Sequence, residues 1–229
     1  MAEVMNSHDE AEQFKRWWRE NWLSLVVGLA LGLGAIVGWQ AWGNYRDTRA
    51  AEASAQYERL SDSLRVGNLD SAVEVSKVLE QDYKGSAYAA LGSLAVAAEQ
   101  VRQGRLDDAR AQLESVVNYA DDDRIRQLAR LRLARLQLAL GQHDEALGTL
   151  DVETGKAFAP LFAELRGDVH LAKDDAVQAR TAYAQALAAY PQGSAEKSFV
   201  ERKLDDLAAA GGNAGAEESA SEPVEAEAS

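Results

Sequence analysis

The chain has 229 residues, no cysteine, three prolines and a formal net charge of −13. That excess of carboxylates argues against nucleic acid as a partner and against a polybasic attachment to anionic lipid, while the missing cysteines remove disulfides, thiol redox chemistry and zinc–thiolate sites. Proline is absent from residues 43–159, and that stretch is rich in Ala, Leu, Glu, Gln and Arg, a composition that favours helix.

The first element is a short charged tail, residues 1–21, followed by a stretch with no Asp, Glu, Lys or Arg between Glu20 and Arg46. As a helix, residues 23–42 rise roughly 30 Å, the thickness of a bilayer's hydrocarbon core. Leu23, Leu25, Val26, Val27, Leu29, Leu31, Leu33, Ile36 and Val37 lie there, and together favour insertion by roughly 3–5 kcal/mol. All five tryptophans, at 17, 18, 22, 39 and 42, flank the stretch as an aromatic belt, and it shows no polar face of the kind a soluble core helix carries. A signal peptide would start basic and end at a small-x-small site. This tail holds Glu3, Asp9, Glu10, Glu12 and Glu20, and the run ends in Trp39 and Trp42, so residues 22–43 are expected to be a retained transmembrane anchor. Lys15, Arg16 and Arg19 before it outnumber Arg46 and Arg49 after it, which favours a cytoplasmic N-terminus and an exported C-terminal domain, a single-pass type II topology. Gly28 and Gly32, like Gly34 and Gly38, form small-x-x-x-small pairs that let another helix approach closely.

After the anchor comes a repeat. GNLDSA (67–72), GRLDDA (104–109) and GQHDEA (141–146) begin 37 residues apart, and DAVQA (175–179) is related to them. Each follows one apolar-periodic helix and opens another, so Gly is expected to end the first helix, and Asp with its neighbours to charge and cap the second. The alanine at 72, 109, 146 and 179 is expected where the paired helices cross. The fourth unit carries Gly167-x-x-His170, then Ala179, Tyr183, Ala186, Leu187 and Pro191. That spacing of Gly, aromatic, Ala and Pro resembles the tetratricopeptide repeat, and the earlier units read as degenerate versions of it. Helix pairs are predicted near residues 47–83, 87–120, 123–151 and 158–190, with a capping helix over 194–210 covering the apolar face of the last pair. The fold class is therefore all-α: one N-terminal transmembrane helix, then an α-solenoid of about four hairpins and a C-terminal cap, spanning 44–210. Residues 211–229, with five Glu and no Lys or Arg, are expected to be a disordered acidic tail.

His8, His143 and His170 lack metal-ligand spacing, the acidic pairs fall at turns and helix starts, and there is no phosphate loop or nucleophile elbow. The reading is of a protein that is not an enzyme and needs no metal or cofactor. What remains is surface. In tetratricopeptide arrays the first helix of each pair lines a groove, which places Leu91, Leu94, Val101, Leu128, Leu131, Arg135, Leu138, Leu161 and Leu171 as groove candidates for an apolar segment of a partner or client. The competing reading packs these leucines against neighbouring helices.

The tail FKRWWRENWL, the span ending GWQAW, and the segments YAALGSLAVA (88–97), LRLARLQLALGQHDEALGTLD (131–151) and FAELRGDVHLAKDDAVQARTAY (162–183) together resemble the YfgM family, ancillary subunits of the bacterial SecYEG translocon, over the chain to about Leu207. The acidic tail departs from the family. The resemblance implies an inner-membrane protein with a periplasmic tetratricopeptide-like domain, associated with SecYEG and with the membrane-anchored chaperone PpiD, that assists exported proteins as they emerge. It also implies a link to a cytoplasmic stress-response regulator through the N-terminal tail. The alternatives are a membrane-anchored periplasmic scaffold for outer-membrane or envelope assembly, or a regulator that binds a cytoplasmic stress-response protein through the N-terminal tail.

Overall fold

The computed structural model describes residues 3–220. Among them the chain is helical with no strand: α1 (Glu3–Arg65), α2 (Leu69–Asp82), α3 (Ala87–Arg102), α4 (Leu106–Tyr119), α5 (Asp123–Ala139), α6 (His143–Leu150), α7 (Ala159–Ala172), α8 (Ala176–Ala189) and α9 (Ala195–Ala220). It divides into two compact units, Met1–Ser54 and Ala55–Ser229.

The first unit belongs to α1. The described apolar residues of its span are unburied, with Leu29, Leu31, Ile36 and Val37 all more than 60% exposed, and all five tryptophans are at least half exposed. No part of its most apolar window is covered by protein. A helix apolar on every side and covered by nothing is built for lipid. A Cβ added at Gly28, Gly32, Gly34 or Gly38 would meet nothing within 4 Å. At about 100° per residue the pair Gly28 and Gly32 points about 120° away from Gly34 and Gly38, so the glycines form two short strips on different faces.

The second unit is a solenoid of hairpins: the end of α1 with α2, then α3 with α4, α5 with α6, and α7 with α8, closed by α9. Each hairpin turn is the same backbone motif. Gly67, Gly104 and Gly141 adopt φ of 77°, 74° and 72°. Behind each, the next residue's N–H reaches the carbonyl five residues back: Asn68 to Ser63, Arg105 to Gln100 and Gln142 to Gln137, all at 2.8 Å. This is the left-handed helix stop that glycine permits. The fourth turn places Asp174 at φ 59° and forms the same bond, Asp175 to His170 at 2.9 Å, because a short polar side chain tolerates this region better than a bulky one.

Capping meets the expectation only in part. Asp70, Asp107 and Asp144 lie in the first turns of α2, α4 and α6, where a negative charge suits the helix dipole, but they are not the caps. Asn68 Oδ1 caps α2 and Asp175 Oδ1 caps α8, each accepting a backbone N–H at 3.1 Å. Arg105 and Gln142 occupy the other two cap positions without a side-chain bond.

Ala72, Ala109, Ala146 and Ala179 are completely buried at the hairpin crossings. Gly92 on α3 is packed so closely that a Cβ would stand 3.0 Å from Leu60 Cδ1 and 3.1 Å from Leu79 Cδ1. Leu131 and Ala134 of α5 share a core with Ala146 and Leu150 of α6 and Phe162, Leu165 and Val169 of α7. Ala163, Ala179, Tyr183, Ala186 and Tyr190 form the next layer with Val200 and Leu207 of α9. Polar bonds tie α8 to α7, and Lys203 ties α9 to the carboxylates of Asp168 and Glu164. Tyr183 donates to Asp168 Oδ1 and Tyr190 to Glu164 Oε2, both at 2.8 Å, while Lys203 Nζ reaches both carboxylates, at 2.6 and 2.9 Å. Helical backbone continues through Ala220, past the boundary expected at 210, where Ala and Glu are good helix formers. Residues 221–229 of the acidic tail lie outside the described residues.

Candidate protein-binding groove

The first helices of the hairpins, α3, α5 and α7, carry all the groove candidates, and their burial sorts them. Leu94 and Leu131 are only 2% exposed and belong to the core, which corrects their assignment to the groove. Each sits one helical turn from an exposed residue, Leu91 or Arg135, and turns inward against neighbouring helices. Leu128, Leu138 and Leu161 are half-buried, with Leu138 and Leu161 packed against the α5–α6–α7 core. Leu91, Val101, Arg135 and Leu171 are exposed.

Two of these residues meet in one concavity. A pocket of about 340 Å³ opens between α3, α4 and α5, lined by Ala97, Ala98 and Val101, by Leu106 and Leu113, and by Arg132, Arg135, Leu136 and Ala139. The alanines make the space. Ala97 and Ala98 on α3 and Ala139 on α5 stand where longer side chains would fill the gap between adjacent hairpins, and Leu113 and Leu136, both nearly inaccessible, form an apolar floor. Arg132 Nη1 donates to the Leu94 carbonyl at 3.2 Å, which holds one guanidinium at the rim, while Arg135 is exposed beside it. An apolar pocket with one tethered and one exposed guanidinium at its edge suits an apolar side chain that has a carboxylate close by.

Sequence reasoning reached Val101 and Arg135 and missed the rest of the lining. Alanines at helical spacing read as packing residues, and Arg132 one turn before Arg135 reads as solvated surface. Neither says that two hairpins leave a gap. Leu91, Leu128, Leu161 and Leu171 do not line this pocket.

At the foot of α5, Asp122 Oδ1 accepts the Arg124 N–H at 2.8 Å, and its other oxygen pairs with the Arg124 guanidinium at 2.9 Å. These bonds, the side-chain one foremost, hold the Asp122 carboxyl down at about 2, so the helix that supplies both arginines is capped at neutral pH.

An unburied apolar helix followed by a hairpin solenoid defines a membrane-anchored tetratricopeptide-like protein, and a family described as the tetratricopeptide repeat-like domain matches residues 15–209, anchor included. A protein of Escherichia coli (strain K12) named ancillary SecYEG translocon subunit is 36% identical over 178 residues, covering 78% of this chain and 85% of the relative. Proteins of the same name from Haemophilus influenzae and Neisseria gonorrhoeae are 31% and 32% identical, each match covering 90% of this chain and 100% of the relative. The chain belongs to the family of ancillary SecYEG translocon subunits.

Proposed function

We propose that the protein is a non-enzymatic adaptor of the inner membrane that associates with SecYEG, holds its solenoid on the periplasmic side, and links the channel to a PpiD-like chaperone and to exported proteins as they emerge. The observation that carries this reading is the extent of the likeness: anchor and solenoid together match relatives named as translocon subunits along their whole length. The charge bias of Lys15, Arg16 and Arg19 over Arg46 and Arg49 supports the cytoplasmic N-terminus.

Within this reading Leu91, Val101, Leu128, Arg135, Leu138, Leu161 and Leu171 remain the groove residues, with Arg132 added, and the α3–α4–α5 pocket takes an apolar side chain of a partner. Gly28 and Gly32, or Gly34 and Gly38, receive a helix of another membrane protein. A photo-crosslinking residue placed at Gly32 and, separately, at Val101 tests it in intact cells. The expected products are SecY from Gly32, and a PpiD-like chaperone or exported chains from Val101. Products drawn only from outer-membrane assembly machinery would replace this reading with the scaffold, and full activity after removal of residues 1–14 would exclude the regulator.

A further inference from the structure

On the N-terminal border of the span, Lys15, Trp18, Arg19 and Trp22 are spaced i, i+3, i+4 and i+7 and so share one face of α1. They line one shallow depression, and all four side chains are exposed. Along the axis they cover about 10 Å, the depth of a headgroup layer beside the hydrocarbon, with Trp22 at the hydrocarbon edge and Lys15 farthest from it. Indole rings beside ammonium and guanidinium groups at that depth match a phosphodiester: the cations meet its charge, and guanidinium can bind two of its oxygens at once.

Three features separate this face from a general interfacial anchor. No Asp or Glu stands three or four residues from Arg19, and Glu20, next to it in sequence, points about 100° away. The opposite border is differently committed: Arg49 pairs with Glu52 at 3.8 Å and lies over the Tyr45 ring at 5.9 Å. The net charge of −13 rules out adhesion by bulk charge, but most of it follows the span and lies across a hydrocarbon layer about 30 Å thick, where charges in solution are screened within about 8 Å. Residues 1–21 carry Glu3, Asp9, Glu10, Glu12 and Glu20 against Lys15, Arg16 and Arg19, so the face meets phosphate through the local placement of its cations and not through a net positive tail.

We propose that Lys15, Trp18, Arg19 and Trp22 form a binding face for the phosphate of a phospholipid carrying net negative charge, of the phosphatidylglycerol type. The partner is a lipid and not a protein, because the face is shallow, combines cations with indoles, and lies at headgroup depth.

The test uses the full chain, purified in mild detergent and titrated with phosphatidylglycerol or with zwitterionic phosphatidylcholine, bound lipid being counted by native mass spectrometry. Wild type should retain phosphatidylglycerol in preference to phosphatidylcholine. The double variant Lys15→Gln, Arg19→Gln keeps helix-forming side chains and should bind phosphatidylglycerol about thirtyfold more weakly, since each basic residue at a membrane surface contributes about 1 kcal/mol and 1.4 kcal/mol is tenfold. Arg46→Gln should leave retention unchanged. Glycerol phosphate in the buffer should not displace the lipid, because it lacks the acyl chains that hold the phosphate at this depth. Equal retention of the two lipids by wild type overturns the proposal, as does undiminished phosphatidylglycerol binding by the double variant. Loss of a co-purifying protein from that variant with its lipid intact would instead assign the face to a protein partner. None of these outcomes depends on the SecYEG reading.

Discussion

A methyl group at position 167 has nowhere to go. The ring of Tyr183 lies directly over Gly167, so a Cβ there would fall inside contact distance of Cδ1 and Cε1 and 3.0 Å from Cζ. Tyr183 is fully buried, and its hydroxyl is tied to Asp168, so the ring cannot swing away without breaking a bond in a closed layer. Gly167→Ala should therefore destabilise the protein by about 2–3 kcal/mol, read as a lower urea midpoint with an unchanged slope. An unchanged midpoint would mean that the ring has room to shift. The same residue explains why glycine and tyrosine appear together in the fourth unit of the sequence pattern.

At the scale of the element, helix ends and the cap decide which parts hold. Asp122 caps α5, and its carboxyl titrates at about 2 in the folded protein against an ordinary 3.8. A depressed value means that this contribution to stability is present above the ordinary value and is lost as pH falls through the folded one. Amide exchange at the start of α5 should accelerate, relative to the rest of the helix, between those two values, and Asp122→Ala should remove the acid dependence. The α9 cap rests on Lys203 between Glu164 and Asp168. Its side chain is 21% exposed, and the two carboxylates are 15% and 30% exposed. Removing the cation leaves two neighbouring carboxylates half out of water, so Lys203→Ala should cost about 2 kcal/mol and speed exchange throughout α8 and α9. Adding Glu164→Gln and Asp168→Asn should restore part of the loss, whereas a purely steric role for Lys203 would show no such rescue.

At the scale of the molecule, each hairpin meets its neighbours in sequence, so stability is a chain of local interfaces. Three tyrosines in two of the packed layers have hydroxyls withdrawn from water. Burial pushes Tyr119 up to about 12. Burial, reinforced by hydrogen bonds to Asp168 and Glu164, raises Tyr183 and Tyr190 further above the ordinary 10.0. A raised value in the folded state means that stability is intact below the ordinary value and is lost as pH climbs through the raised one. The solenoid should unfold in alkali above pH 10, with the α7–α8–α9 layer opening first because two of the three tyrosines lie there. Tyr190→Phe should move the alkaline transition upward, and identical exchange in all hairpins would contradict the ordering.

Much of this was legible in the residues. The anchor follows from an uncharged stretch bounded by tryptophans, and the hairpins from glycine at a fixed spacing followed by a buried alanine, because each signal reports a local requirement: solvent for every side of one helix, or a backbone angle at one turn. The groove was only half legible. Leu91 and Leu94 differ by one turn of one helix, and nothing in their identity says that one is exposed and the other enclosed, since the answer lies in where the neighbouring hairpin sits. Arg132 was overlooked for the same reason, because its place at the pocket rim depends on the Leu94 carbonyl of another helix. The sequence by itself determined the helical class, the span and the order of the turns, all set by interactions within a few residues. Only the tertiary structure decided that α3, α4 and α5 leave a pocket, that Asn68 and Asp175 rather than the repeated aspartates cap their helices, and that Lys203 closes the array, because each depends on groups brought together from distant parts of the chain or on the backbone geometry of a turn.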